Sequence, residues 1–246
     1  MAVDPPVLYN GFWVGLRATT NGLLYVNNPS DKHIHNAYEV RKYLRQQNYN
    51  DIAIAGVLGN MFLESGISPG ALQNYGSSLS VLPNNGEHLA DLDNVTMQAF
   101  CSTTVHRFGT GLIQWDILGT TNKIADFAIA NNMLWYDGAL QFMKLAQEYN
   151  HDVNVDPAHP LFWFGDYSYT WDRFINYNGT PANAADIFRV NRERGGDDTI
   201  QQRKDSATFW YQYFIDHPLP PVQPLKPSII CSIINTRKVI KSVYYS

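Results

Sequence analysis

The residue best equipped for chemistry in this sequence is Glu64, near the end of the run Ile52-Ala53-Ile54-Ala55-Gly56-Val57-Leu58-Gly59-Asn60-Met61-Phe62-Leu63-Glu64-Ser65. The run is apolar nearly all round, which predicts a buried helix. A carboxylic acid at the end of such a helix sits where water is scarce, and desolvation disfavours the charged form of a carboxyl group. That is what a general acid for glycoside cleavage needs, since it must still hold its proton near neutral pH. Asn60 lies one helical turn before Glu64 and Gly56 two turns before it. A polar partner and a surface without a side chain therefore share its face, leaving room for a substrate or a facing loop. The competing reading is a glutamate that caps or ion-pairs its own helix end. A negative charge at a helix C-terminus opposes the macrodipole, so this is a poor place for a purely structural acid.

Other chemistries find less support. Seven histidines include His33 and His35, but no His-x-x-x-His helix or Cys/His cluster supports zinc, and neither a metal nor a cofactor is expected. Cys101 and Cys231 lie far apart and match no zinc or redox spacing, which points to free thiols. Ser65 lacks a Gly-x-Ser-x-Gly elbow and does not read as a nucleophile. No phosphate-binding loop is present. The net charge of −4 argues against a duplex nucleic-acid binder.

Two segments taken together carry a family resemblance. Gly56-Val-Leu-Gly59-Asn60-Met-Phe-Leu-Glu64-Ser65-Gly-Ile-Ser-Pro69-Gly-Ala71-Leu-Gln73 resembles the catalytic segment of the phage tail lysozyme family, within the lysozyme-like superfamily. Gly109-Thr110-Gly111-Leu112-Ile113-Gln114-Trp115 is similar to that family's Gly-x-Gly-Leu-x-Gln-Trp element, which lines the cleft. Trp171 to Phe174, Thr180-Pro181, Ala184 to Phe188 and Asn191 to Arg194 are similar to its C-terminal half, so the resemblance runs from about residue 34 to 215. It implies a mainly α, α+β lysozyme-like fold: a helical bundle around a central buried catalytic helix, with a long hairpin or loop flanking the cleft. It further implies cleavage of the β-1,4 bond between N-acetylmuramic acid and N-acetylglucosamine in bacterial peptidoglycan. Glu64 carries over as the catalytic acid and Gln114 as a cleft residue, with an amide able to donate and accept. Asn60, Ser65 and Thr110 within the matched segments are further substrate-binding candidates, as is Tyr75 shortly after the first. Trp115 either stacks on a sugar ring or belongs to the core.

A lysozyme also needs a second carboxylate, about 5 Å from the acid in a retaining enzyme and about 6.5–9.5 Å in an inverting one. Glu87, Asp91 and Asp93 in the long loop and Asp116 beside Gln114-Trp115 are the candidates, the loop being favoured on topology. Each has a structural alternative: Asp116 as a helix N-cap, Asp91 and Asp93 as solvated charges. The Glu-Ser and Gly-Leu-x-Gln elements also resemble lytic transglycosylases, which need no second carboxylate because the sugar's own 6-hydroxyl attacks. The Gln-Trp ending fits the phage lysozyme better. From a different class, a tail-structural or wall-binding module could keep the fold without activity.

The elements that would position these residues can be read from periodicity and caps. Ser30-Asp31 precedes a helix through Arg45 with Val40, Tyr43 and Leu44 on one face. Asn50 or Asp51 caps the Glu64 helix, which Gly66 and Pro69 end. Residues 74–108 read as a Gly/Ser/Asn-rich loop, a lid or groove wall. Helices are expected at about 121–131, 136–149, 169–175, 181–190 and 199–215. Three parts result: an N-terminal arm or hairpin at 1–30, a catalytic domain at 31–216, and at 217–246 a proline-rich linker with a basic tail. No basic start followed by an apolar run marks a secretory signal, and no apolar stretch is long enough to span a bilayer. With the resemblance, that suits a virion tail location, with other tail proteins as partners through the arm or the basic tail.

Overall fold

The apolar run ending in Glu64 folds as helix α2, Asp51–Ser65, in a computed structural model that describes residues 6–15, 29–72, 82–83, 88–102, 109–115, 124–155, 169–193 and 199–218. Asn50 is its N-cap: the side-chain oxygen accepts from the Ala53 N–H at 2.8 Å, and the amide donates to the Tyr177 carbonyl at 2.8 Å. Gly66 ends the helix in the left-handed region, at φ 61°, where only glycine has no Cβ penalty. From Ala53 to Leu63 every residue of α2 is buried. Side chains such as Ile54, Leu58 and Phe62 each contribute roughly 1.5–3 kcal/mol by leaving water. A helix apolar on all sides must be surrounded, and this one is.

Helix α7, Pro181–Phe188, lies most closely on it, started by Thr180, whose hydroxyl accepts from the Asn183 N–H. A Cβ on Gly56 would stand 2.7 Å from the Ala184 carbonyl carbon, and one on Gly59 would stand 2.6 Å from the Arg203 carbonyl oxygen. Both glycines are therefore where α7 and helix α8, Ile200–Asp216, press backbone against α2. The bare surface at Gly56, expected to leave room for a substrate or a facing loop, is filled by helix α7.

Helix α1, Asp31–Gln46, covers another side with Ala37, Val40 and Leu44 buried. Residues 7–14 form a hairpin, β1 Val7–Tyr9 paired antiparallel with β2 Phe12–Val14. Phe12 and Val14 are wholly buried. Asn36 of α1 locks the hairpin in place: it accepts from the Trp13 N–H at 2.8 Å and donates to the Trp13 and Ile67 carbonyls at 2.8 and 2.7 Å.

A second cluster gathers Met97, Phe100, Ile124, Ala128 and Leu140 from helices α3 (Asn94–Ser102), α4 (Ile124–Ala130) and α5 (Gly138–Val155), with Leu92 and Trp135 from the connections before α3 and α5. Helix α3 lies inside the stretch expected to be loop, as does a 3-10 turn at Leu89–Asp91. It forms because Met97 and Phe100 reach this cluster, a tertiary reason invisible in nine residues of mixed polarity. Helix α6, Trp171–Ile175, and a π-helical turn at Arg189–Glu193 complete the described elements. The described residues are mainly helical with one small sheet, consistent with an α-dominated lysozyme-like fold. Nearly all of this belongs to one unit, Met1–Gln212; a second comprises Tyr213–Ser246, where Tyr213 stacks on His217 at 4.3 Å. The proline-rich stretch and basic tail from residue 219 onward lie outside the described residues, as do Cys231 and residues 16–28 of the arm. Among the described residues no helix is long and apolar enough to cross a membrane.

Candidate active site

Glu64 stands in the last turn of α2 with its side chain 20 % exposed. The water-poor setting expected for it contains an arginine: Arg203 of α8 donates from Nη2 to Glu64 Oε1. The same guanidinium donates from Nη1 to Asn60 Oδ1 at 2.8 Å and from Nε to the Thr199 hydroxyl at 3.0 Å. Asn60 donates in turn to the Gly56 and Ala185 carbonyls at 2.9 and 3.0 Å. The planar fork of an arginine is pre-organised for such a two-partner grip. Oε2 of Glu64 has no hydrogen-bond partner among the described residues. One oxygen is anchored and the other is left to the outside.

The segment Gly109–Trp115 forms a closed hairpin. Thr110 and Trp115 exchange backbone hydrogen bonds at 3.1 and 2.9 Å, and Gly111 (φ 78°) and Gln114 (φ 48°) turn in the left-handed region. For a glutamine that conformation costs about 1–2 kcal/mol. Gln114 donates to the Gly111 carbonyl at 2.8 Å, while its Oε1 is buried with no partner among the described residues. Ser65, next to Glu64, donates to the Leu112 carbonyl at 2.8 Å, and Gly111 N–H donates to the Ala71 carbonyl at 2.8 Å. The hairpin is thus bound directly to the end of the Glu64 helix.

Two residues outside the sequence candidates hold the hairpin from the other side. Gln141 of α5 accepts from the Leu112 N–H at 2.8 Å and donates to the Pro69 and Trp135 carbonyls at 2.8 and 2.9 Å. A Cβ on Gly111 would sit 2.6 Å from that amide oxygen, so glycine is required there twice over. Glu148, 3 % exposed, accepts from Trp115 Nε1 at 3.1 Å, from Lys144 Nζ at 2.7 Å and from Arg192 Nη2 at 3.0 Å. Burial pushes the Lys144 ammonium below its ordinary value, against the pull of Glu148. The one sequence signal for this cluster was a charged pair four residues apart on a helix otherwise rich in apolar residues.

Several sequence candidates take other places. Asn60 and Ser65 are fully buried, and Thr110 nearly so, with their side chains engaged by the protein. Their side-chain hydrogen bonds run to the Glu64 helix, to α7 and to the hairpin. Trp115 is 8 % exposed and its indole N–H belongs to Glu148, so of its two readings the core one describes its position. Asp91 and Asp93 are exposed, and Asp93 caps α3 by accepting from the Thr96 N–H at 2.7 Å. That backbone hydrogen bond holds its carboxyl below the ordinary aspartate value. Asp116, Glu87 and Tyr75 lie outside the described residues. Among the described residues, no three His, Cys, Asp or Glu side chains are grouped as a metal site would require.

The model of the phage tail lysozyme family matches residues 35–214. That span contains Glu64 and Arg203, the Gly109–Trp115 hairpin, and the Gln141 and Glu148 that secure it. With the match running from α1 into α8, this chain belongs to the phage tail lysozyme family, and that membership suggests a lysozyme-like enzyme acting on peptidoglycan.

Proposed function

We propose that the protein is a virion tail muramidase that opens the host wall during entry, hydrolysing the β-1,4 bond between N-acetylmuramic acid and N-acetylglucosamine. The observation that supports this best is the state of Glu64: one oxygen gripped by Arg203, the other without a partner, beside a strained hairpin tied to Ser65. A carboxyl fixed at one oxygen and open at the other is placed to exchange a proton with a bond lying against it. Gln114 fits a cleft residue, because backbone strain of this kind is retained where function needs it. Peptidoglycan is the partner; other tail proteins, through the arm or the basic tail, are the further partners we propose.

Hydrolysis calls for a second carboxylate, and Asp91, Asp93 and Asp116 are the candidates, Asp93 with one oxygen already engaged as a cap. Glu148 is unsuited, since both its oxygens are committed in the interior. A lytic transglycosylase on the same bond is the second reading. Among the described residues the side-chain partner of Glu64 is Arg203 and not a carboxylate, which favours a reaction that needs no second one.

Digestion of purified peptidoglycan by the wild type and by Glu64→Gln, with the sugar ends identified by mass spectrometry, tests both. Glutamine keeps the shape but delivers no proton, so turnover is expected to fall by about 10²- to 10⁴-fold. Reducing N-acetylmuramic acid ends support the muramidase and anhydro-muramic ends the transglycosylase. An undiminished rate in Glu64→Gln removes Glu64 from the chemistry. No cleavage by the wild type leaves a binding or structural tail module.

A further inference from the structure

A recess of about 190 Å³ is lined by Tyr169 and Tyr177, which flank α6, by Asn183, Asp186 and Ile187 of α7, and by Val190 and Asn191 of the π-helical turn. Its Tyr177 end lies apart from the acid: the Tyr177 carbonyl is held by Asn50 at the start of α2, about 21 Å of helix from Glu64 at 1.5 Å per residue. Yet its Asp186 end is joined to the acid: Lys204 pairs with Asp186 at 3.1 Å, and the preceding residue, Arg203, grips Glu64.

The lining has a definite chemical preference. The two tyrosine rings meet edge to face with centroids 5.7 Å apart, and the Arg173 guanidinium braces Tyr169 from 4.9 Å. Asp186 has its charge answered by Arg189 at 2.9 Å as well as by Lys204, so it offers an acceptor without a net demand for a cation. Asn183 uses its backbone N–H in the Thr180 cap, but its exposed side-chain amide has no partner among the described residues. Two aliphatic and two aromatic side chains beside a charge-balanced acceptor and an open amide suit a neutral ring with one apolar face and an edge of hydroxyl and amide groups. The volume holds one such ring.

We infer that this recess is a binding site for one N-acetylhexosamine unit of a glycan strand, remote from the bond being cut; the inference rests on the peptidoglycan reading above. A group bound there touches no reacting atom and is held alike in ground and transition states, so losing it raises KM and spares kcat.

Two variants of the full chain test this. Asn183→Ala removes the open amide from an exposed position. Gly179→Ala acts through geometry, because a Cβ there would lie 2.1 Å from the Tyr177 hydroxyl and must displace the ring. Kinetics on soluble glycan strands are measured beside calorimetric titration of N-acetylglucosamine hexamer into each variant carrying Glu64→Gln. Each variant is expected to raise KM and weaken hexamer binding by about 3- to 10-fold, with kcat within twofold. Unchanged KM and unchanged hexamer affinity in both variants would overturn the site while leaving Glu64-dependent cleavage standing. Displacement of the hexamer by a sugar-free wall stem peptide would also overturn it, in favour of a peptide site. Hexamer binding lost in the variants of a chain that cleaves no wall would support the site and sink the muramidase.

Discussion

At the scale of single residues, the placement of the Glu64 carboxyl is tied to Arg203. The guanidinium reaches Asn60 and Glu64 at once, through Nη1 and Nη2, and itself hangs from Thr199. A lysine would keep the charge and lose the fork. Arg203→Lys is therefore expected to leave the fold in place and lower kcat by about 10²-fold through misplacement of the acid, with KM little changed. Steady-state kinetics and a thermal melt check it; a kcat equal to the wild type's would mean that Glu64 needs no such anchor. Glu64 was visible in the sequence because it ends an apolar helix beside glycine and proline stop signals. Arg203 was not, since 139 residues separate it from its partner and nothing local marks it.

At the scale of elements, caps set the helix ends, and one of them titrates. Ser30 and His33 form a reciprocal box at the start of α1: His33 N–H donates to the Ser30 hydroxyl, and Ser30 N–H donates to His33 Nδ1 at 3.1 Å. The second bond needs Nδ1 unprotonated. Burial lowers the His33 pKa from its ordinary value. The unfolded chain then takes up a proton at about pH 6.5 before the folded chain does, so stability is full above that value and falls as the pH drops toward the lower folded pKa. Between pH 7.5 and 5.5 the wild type is expected to lose about 2–4 °C more in melting temperature than His33→Gln, whose amide fills the box at either pH. Equal losses in the two proteins would take the cap out of the pH response. Ser30 and Asn50 were legible as caps from residue type alone. Helix α3 was not, because its nine-residue stretch of mixed polarity is held by burial of Met97 and Phe100 against partners distant in the chain.

At the scale of the whole molecule, Glu148 joins three segments: α5, the Gly109–Trp115 hairpin and the π-helical turn carrying Arg192. Glu148→Gln would keep an acceptor for the indole while leaving Lys144 and Arg192 inside without their counter-charge. Loss of one partner of a buried ion pair costs about 3–5 kcal/mol, so a fall of roughly 10 °C in melting temperature is expected. Adding Lys144→Met should recover part of it, as an apolar side chain of similar length needs no counter-charge. A melt within about 2 °C of the wild type for Glu148→Gln would show that the cluster does not hold these segments together.

What the sequence determined by itself is what short-range physics writes: apolar periodicity placed α1, α2 and the later helices, cap residues marked their ends, and two matched segments named Glu64 and the hairpin. What only the tertiary structure decided is what those parts meet. The bare face of Gly56 receives the backbone of α7, Asn60 and Ser65 turn inward as supports, and Trp115 joins the core on Glu148. The N-terminal hairpin is packed against the helices through Asn36. The reason is common to all four. Periodicity reports that a face is apolar or bare, but which distant backbone or charge fills it is settled by packing between elements, and that carries no local signal.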